Sequence, residues 1–215
     1  MGKKQEKSIT NDKIIPKKLH LVWVGDRPCP KDWIMSWRNK HPKWDFYLWN
    51  EQNIVGFECQ KLIDWCLERK LYPNAVADIV RYEVLYKYGG VAVDADSECI
   101  KPIDELLDIE EDCFACYESE KNRPGLLSPQ MGACKGNELM RAIIDIIKKK
   151  NEVKNAWKET GNLLLTNVVA DKRYPIKIYP SHYFIPVHYN GEENKGDGNI
   201  YAIQKWYTTK KLWNK

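Results

Sequence analysis

One continuous stretch, "RYEVLYKYGGVAVDADSECIKPID" from Arg81 to Asp104, restricts the fold more than any other part of the chain. A helical run reaches two glycines, an apolar strand follows at once, and Asp94 and Asp96 interrupt it. Gly89 stands where helices commonly turn off through a left-handed residue. A strand fed so directly by a helix suits an α/β arrangement, and the carboxyl ends of such strands are where open α/β sheets receive ligands.

The flanking sequence repeats the alternation. "KKLHLVWVG" reads as the first strand, stopped by Gly25 and expected to lie centrally. In "PKDWIMSWRNK", which starts at Pro30, Trp33, Ile34 and Trp37 recur at helical spacing. "WDFYLWN" reads as a second strand, and "CQKLIDWCLERK" as a helix through Leu62, Ile63, Cys66 and Leu67. "NAVADIVRYEVLYKY" is helical, with Asn74 as its expected cap. Beyond the acidic strand come a brief helix at "KPIDELL", short strands at "CFACY" and "MGACK", and an amphipathic helix in "NELMRAIIDIIKKK" that turns Leu139, Ile143, Ile146 and Ile147 inward. The expected fold is α/β, a Rossmann-like, mostly parallel sheet flanked by helices. From "KIYPSHYFIPVHYNG" onward, short aromatic pieces punctuated by Pro and Gly read as an irregular appendage over the ligand edge. Residues 1–13 read as a polar leader and 14–215 as one domain.

Nine Trp and twelve Tyr are costly to keep unless they pack a core or form flat platforms for rings and sugars, so some are expected to touch ligand. A net charge of +4 with dispersed lysines argues against nucleic acid and is compatible with an anionic substrate or membrane surface. Seven cysteines without regular spacing leave at least one thiol free and fit a reducing cytoplasm. Cys113 and Cys116 form a CxxC, but without a second pair "DCFACY" reads as a buried strand rather than a zinc site. The start "MGKKQEKSITNDK" lacks the apolar stretch of a signal peptide. No run approaches the ~18 to 20 apolar residues of a spanning helix. The expected location is cytoplasmic, free or peripheral at the inner face of a membrane.

Asp94 and Asp96 carry the chemistry. At a strand end the backbone can turn so that both carboxylates reach one cation, and oxygen ligands favour magnesium, manganese or calcium over zinc. A hard cation with few protein ligands keeps positions open to bridge a diphosphate, the need of a sugar nucleotide. The plain alternative is an acidic turn into "SECIKP". Upstream, Asp78, Arg81, Tyr82 and Leu85 share one helix face, where an exposed Asp–Arg pair would contribute only about a few tenths of a kcal/mol. That helix feeds through Gly89 and Gly90 into the acidic strand, so its side chains can approach the same cleft.

"IPKKLHLVWVG" followed by "AVADIVRYEVLYKYGGVAVDAD" resembles the DXD-motif glycosyltransferases of family thirty-two, found in capsule-polysaccharide clusters and fungal mannan synthesis, and more distantly the sugar-transferring toxins. The resemblance is continuous from Ala75 to Asp96. It implies a GT-A type fold and a metal-dependent enzyme that transfers a hexose, with retention, from a nucleoside-diphosphate sugar to a saccharide or lipid-linked acceptor. The donor would be a UDP-sugar by preference, the metal Mn2+ or Mg2+. Residues 14–135 would then be the nucleotide-sugar part, and 136–215 the acceptor side with a C-terminal lid.

Carried over residue by residue, the resemblance has Trp23 stack on the base, Asp78 and Arg81 contact the donor sugar, Asp94 meet ribose or metal, and Asp96 hold metal and diphosphate. Val22, Val24, Gly25, Tyr82, Gly90 and Ala95 complete the implied donor-binding set. Front-face attack, with the departing phosphate oxygen taking the acceptor proton, needs no protein nucleophile, and none is assigned.

Three positions depart from the family pattern. Ala92 stands where an aromatic is usual, "TGN" at Thr160 to Asn162 replaces Thr-Gly-Pro, and "AIQKW" puts Gln204 in a histidine position. This leaves the third metal ligand open between Gln204, water with phosphate, and His188 or His182, the two histidines reading more readily as packing or acceptor-site residues. The tail "QKWYTTKKLWNK" combines Trp206, Tyr207, Leu212 and Trp213 with Lys205, Lys210, Lys211 and Lys215, and reads either as a lid or as a membrane contact. Two other functions compete: a haloacid-dehalogenase-like phosphatase with Asp94 as nucleophile, and a binding module without turnover.

Overall fold

The computed structural model describes residues 14–212; the leader 1–13, Trp213 and Lys215 lie outside them. In chain order the main elements are β1 (Lys18–Val22), α1 (Lys31–Lys40), β2 (Asp45–Trp49), α2 (Gln60–Glu68), α3 (Pro73–Tyr88), β3 (Gly90–Ala92), β4 (Ser97–Cys99), β5 (Cys113–Ser119), β6 (Arg123–Ala133), α4 (Glu138–Ile147), α5 (Ala156–Glu159), α6 (Asn162–Lys172), β7 (Lys177–Tyr179) and β8 (Ala202–Gln204). A short 3-10 turn, Asp104–Leu107, stands where "KPIDELL" suggested a brief helix.

The main sheet has the order β2-β1-β3-β6-β5-β7. β1 is parallel to β2 and β3, and β5 to β7, while β6 runs antiparallel to both of its neighbours. Five strands therefore share one direction, as the alternating pattern predicts, and β1 lies inside the sheet. Both faces are covered, which explains the near-continuous apolar runs. Successive residues feed opposite cores: Leu19, Leu21, Val91 and Phe114 join Ile34 and Trp37 of α1, while Val22, Ala92 and Ala115 join α2, α3, α4 and α6. Cys113 and Cys116 fall on opposite faces for the same reason. All seven cysteines are free thiols.

Helix α3 is buried along most of its length, from Ala75 to Leu85. It begins differently from the expectation: Pro73 is the first helical residue, Tyr72 precedes it at φ +51, and Asn74 lies inside the first turn without capping it. It ends as expected on Gly89 at φ +64. Gly90 follows at φ +115, where a Cβ would come within 2.6 Å of the Lys18 carbonyl oxygen. The two glycines thus allow α3 to reverse directly into a strand pressed against β1.

Strand β6 is longer than "MGACK" suggested, because Pro124, Gly125 and Pro129 hide its first part in the sequence. Pro129 lies beyond the last β3 pair, Ala92 with Met131, and in a register shift against β5. No ladder bond is lost there, which is where strand prolines are tolerated. In α4, Ile144 is fully buried and Ile146 only half-buried, a small rotation of the expected inward face. The C-terminal appendage returns across the ligand edge, and β8 pairs antiparallel with β4, Gln204 opposite Ser97.

Candidate active site

A cleft of about 620 Å³ opens at the carboxyl ends of β1 and β3. Val93 still bonds to the His20 carbonyl, 3.1 Å away, and the chain then turns, with Ser97 N–H donating to Asp94 O at 3.1 Å and the Ser97 hydroxyl to the same oxygen at 2.6 Å. This turn places Asp94, Ala95 and Asp96 on the cleft wall. Helix α3 contributes Asp78 and Arg81, and the end of β1 contributes Val22, Trp23 and Val24.

Arg81 ties the acidic groups together. Its Nη1 donates to Asp78 Oδ1 at 2.8 Å and its Nη2 pairs with Asp94 Oδ1. Burial opposes the Arg81 charge, but Asp94 and Asp78 outweigh it and raise its pKa. Burial pushes Asp78 up to about 6 despite Arg81. Asp96 also rises to about 6, through burial and then through the charge of Asp94. Both Asp96 oxygens accept hydrogen bonds from the C-terminal segment: Gln204 Nε2 at 2.8 Å and Tyr207 N–H at 2.9 Å.

The donor set suits a hard divalent cation. Three carboxylates, Asp78, Asp94 and Asp96, stand at this part of the cleft with one buried guanidinium, that of Arg81. Oxygen ligands at a cleft wall match magnesium or manganese better than zinc. Asp94 and Asp96 are the residues that would hold such an ion. Among the described residues no group of three His, Cys, Asp or Glu is placed to ligate a metal, so water and substrate oxygens would complete its shell. Gln204 is beside Asp96, but its Oε1 accepts from Gln130 Nε2 at 3.2 Å. His188 is buried behind the cleft wall, its Nε2 3.3 Å from Glu118 Oε1. His182 is likewise buried and bonds to the Asp197 carbonyl at 2.9 Å.

Three further residues of the sequence-derived set stand outside the cleft lining. Tyr82 is fully buried in the core, and its hydroxyl has no hydrogen-bond partner among the described residues. Gly90 starts β3, at the end away from the acidic turn. Gly25, at φ +94, donates its N–H to Glu51 at 2.6 Å. Ala92 is buried between His20 and Met131 in the sheet, so its small side chain removes nothing from the cleft wall. The "TGN" segment does reach the site: Thr160 Oγ1 lies 3.2 Å from Asp78 Oδ2, and a Cβ on Gly161 would stand 3.1 Å from the same oxygen.

Sequence reading missed several residues that the fold brings here. Gln130 is fully buried; its Oε1 accepts from Asp94 N–H at 3.1 Å, and its Nε2 reaches Asp94 Oδ2 at 3.3 Å. Glu118, Arg123, Trp157 and Tyr189 also line the cleft, together with Trp206 of the tail already read as a lid. Trp206 and Tyr207, two rings of the tail, are engaged by the protein: Trp206 Nε1 donates to the Val187 carbonyl at 2.9 Å, and Tyr207 packs against Trp23 and Trp33. No helix among the described residues is long and apolar enough to cross a membrane.

Comparison with known proteins agrees with this geometry. Residues 30–113 match the model of the glycosyltransferase sugar-binding region containing DXD motif. The chain is 36% identical over 101 residues to inositol phosphoceramide mannosyltransferase 1 of Schizosaccharomyces pombe, covering 43% of this chain and 31% of that protein. It is 27% identical over 135 residues to inositol phosphoceramide mannosyltransferase 3 of the same yeast, covering 60% and 36%. With the mannosyl phosphorylinositol ceramide synthase CSH1 of Saccharomyces cerevisiae the identity is 27% over 147 residues, covering 64% and 37%. The matches thus span about a third of the length of these curated relatives. Among solved structures, the PaToxG glycosyltransferase superposes with a TM-score of 0.61 at 15% identity, over 74% of this chain and 70% of that one. The glycosyltransferase domain of the YGT toxin gives 0.56 at 11%, over 77% and 80%. The fold is therefore of the GT-A type, and the resemblance read from Ala75 to Asp96 is borne out.

Proposed function

We propose that this chain, which carries the DXD-containing sugar-binding region of the glycosyltransferases, is a metal-dependent transferase that moves a hexose from a nucleoside-diphosphate sugar to a saccharide or glycolipid acceptor with retention. The observation that carries the reading is the acidic cluster on the cleft wall: Asp78 and Asp94 share the buried Arg81 guanidinium, and Asp96 stands beside them at the turn after the apolar strand. A divalent cation bound there would offset the charge that develops on the departing diphosphate.

The residues present would do the rest by positioning. The Trp23 ring offers a stacking face for the base. Arg81 holds Asp78 and Asp94 in fixed relation, so the donor sugar meets a preorganised polar wall. Gln204 and Tyr207 fix the Asp96 carboxylate, and with Trp206 they bring the C-terminal segment over the donor as a lid. In the front-face route the acceptor oxygen bonds to the anomeric carbon as the bond to the diphosphate oxygen breaks, and the acceptor proton passes to that oxygen. This suits a site whose strand-end carboxylates are already engaged, Asp94 by Arg81 and Asp96 by Gln204 and Tyr207. Asp94 held by Arg81 is correspondingly a poor nucleophile for the phosphatase alternative.

A UDP-sugar is the first donor to test, and GDP-mannose the second, because the relatives named above are mannosyltransferases and ceramide glycolipid synthases. Their names also favour a glycolipid acceptor, with Lys210 and Lys211 at the end of the described tail available to an anionic surface. The test is a panel of sugar nucleotides with Mn2+, followed by thermal shift and then by donor hydrolysis. One donor is expected to stabilise the wild type, with no response in Asp96→Ala and a weaker one in Arg81→Ala. Absence of a metal-dependent response to every donor would overturn the reading, and binding without hydrolysis or transfer would favour the non-catalytic module.

A further inference from the structure

The cleft has a second wall that the donor reading leaves unused. It is built by the β5–β6 hairpin, by α5 and the start of α6, and by the segment before β8. Glu118 and Arg123 come from the hairpin, Trp157 from α5, Asn162 from α6 and Tyr189 from the segment.

Its geometry is built rather than incidental. The Arg123 guanidinium lies over two rings, 5.4 Å from the Trp157 centroid and 5.8 Å from that of Tyr189. Its Nε is 3.2 Å from Glu118 Oε1, and Asn162 Nδ2 donates to Glu118 Oε2 at 2.5 Å. Glu118 is only 6% exposed and is backed by His188. Trp157 and Tyr189 are 38% and 40% exposed, large rings left open on a cleft wall. Tyr189 is steadied by Trp206, with centroids 5.7 Å apart.

We infer that this wall is the acceptor subsite and that it takes a neutral saccharide ring or cyclic polyol. The inference rests on the transferase reading for its place in the reaction. A sugar ring presents C–H groups to an aromatic surface and hydroxyls at its rim, and those hydroxyls need donors and acceptors side by side. Glu118 supplies acceptor oxygens, Arg123 and Asn162 supply donors, and Trp157 and Tyr189 supply the apolar surface. The paired charges of Glu118 and Arg123 largely cancel, which suits hydroxyl groups better than an isolated cation would. The wall takes Glu118 and Arg123 from the part of the chain before residue 135, so the acceptor side is not confined to the C-terminal part.

The test uses the full chain and saturation-transfer NMR with methyl α-D-mannopyranoside, methyl α-D-glucopyranoside and myo-inositol, each with and without UDP and Mn2+. At least one probe is expected to receive saturation from the wild type. Trp157→Ala should weaken that probe's binding about tenfold, the ~1.4 kcal/mol scale of one ring contact, and Trp157→Tyr should restore most of it. UDP affinity should be unchanged in both variants. Trp157 is exposed, so the variant is expected to fold, and thermal unfolding checks this. No probe binding to the wild type in either condition, undiminished binding in Trp157→Ala and Tyr189→Ala, or an equal loss of UDP affinity would each overturn the assignment. The saccharide signal without UDP and Mn2+ is read separately, so a failure of the donor reading is distinguishable from a failure of this one.

Discussion

The two walls of the cleft hold charge in different ways. On the wall proposed for the donor, Asp78, Arg81, Asp94 and Asp96 come from one run of sequence, are buried or half-buried, and set three carboxylates beside one buried guanidinium. On the other wall, Glu118 and Arg123 balance each other, and half-exposed rings from distant segments surround them. The first arrangement suits the cation proposed for it, whereas the second already pairs its charges within the protein. A buried group that lacks its counter-charge raises affinity for a ligand at the expense of stability, whereas a satisfied pair can only select by shape and hydrogen bonding.

The largest effect that would separate the walls is expected at Arg81. Arg81→Ala leaves Asp78 and Asp94 buried without their partner and should cost about 3–5 kcal/mol, lowering Tm by roughly 10 °C. Arg81→Lys should recover only part of this, since a point charge cannot serve both carboxylates as the fork does. A wild-type melting curve for Arg81→Ala would mean that the donor wall is not under this electrostatic load.

Next comes Asp96→Asn, which keeps the shape and removes a charge. Metal-dependent donor hydrolysis should fall by about 100-fold or more, the usual cost of losing a group that stabilises transition-state charge. Thermal stability without metal should change by less than for Arg81→Ala, because relief of a charge offsets the one hydrogen bond lost where the Asn amide meets Gln204 Nε2 or Tyr207 N–H. Loss of activity together with loss of stability would blur the contrast between the walls.

The third effect concerns the strands beneath the donor wall. His20 pairs with Ala92 across β1 and β3, lies 2.9 Å from the Gly89 carbonyl and stacks among Tyr47, Trp49 and Tyr88. Burial lowers its pKa from 6.5 to about 4. The unfolded chain therefore takes up the proton first, so this contribution to stability is complete above pH 6.5 and is lost as pH falls toward 4. The loss is up to about 3 kcal/mol. His20→Gln should flatten the acid limb of a Tm–pH series, and an identical limb would show that His20 does not set it.

The smallest effect is expected on the second wall. Trp157→Ala should change unfolding stability by less than about 1 kcal/mol, because an exposed ring adds little to the core. A loss as large as that of Arg81→Ala would make Trp157 a structural residue and remove the contrast.

The same difference decides what could be read from the sequence. From Ala75 to Asp96, helical spacing, two glycines and an apolar strand lie in one continuous run, so local rules brought Asp78, Arg81, Asp94 and Asp96 together. Trp23 entered only through the resemblance carried by "KKLHLVWVG", and it lines the cleft. Glu118, Arg123, Gln130, Trp157 and Tyr189 had no such signal: apart from the Glu118–Arg123 pair their partners lie far away in sequence, and Pro124, Gly125 and Pro129 disguise the strand that carries two of them. Tyr82 shares a helix stripe with Asp78 and Arg81, yet the stripe continues into the core, and periodicity alone does not show where cleft gives way to packing. Gly90 was prominent for its place beside the acidic strand, but its role is the close approach to Lys18.

The most direct measurement is calorimetric titration of uridine diphosphate into the wild type and Asp96→Asn, each with Mn2+ and with EDTA. The account predicts binding to the wild type with Mn2+ alone and loss of most of that affinity in Asp96→Asn. Binding of equal strength in EDTA, or equal binding by Asp96→Asn with Mn2+, would contradict it.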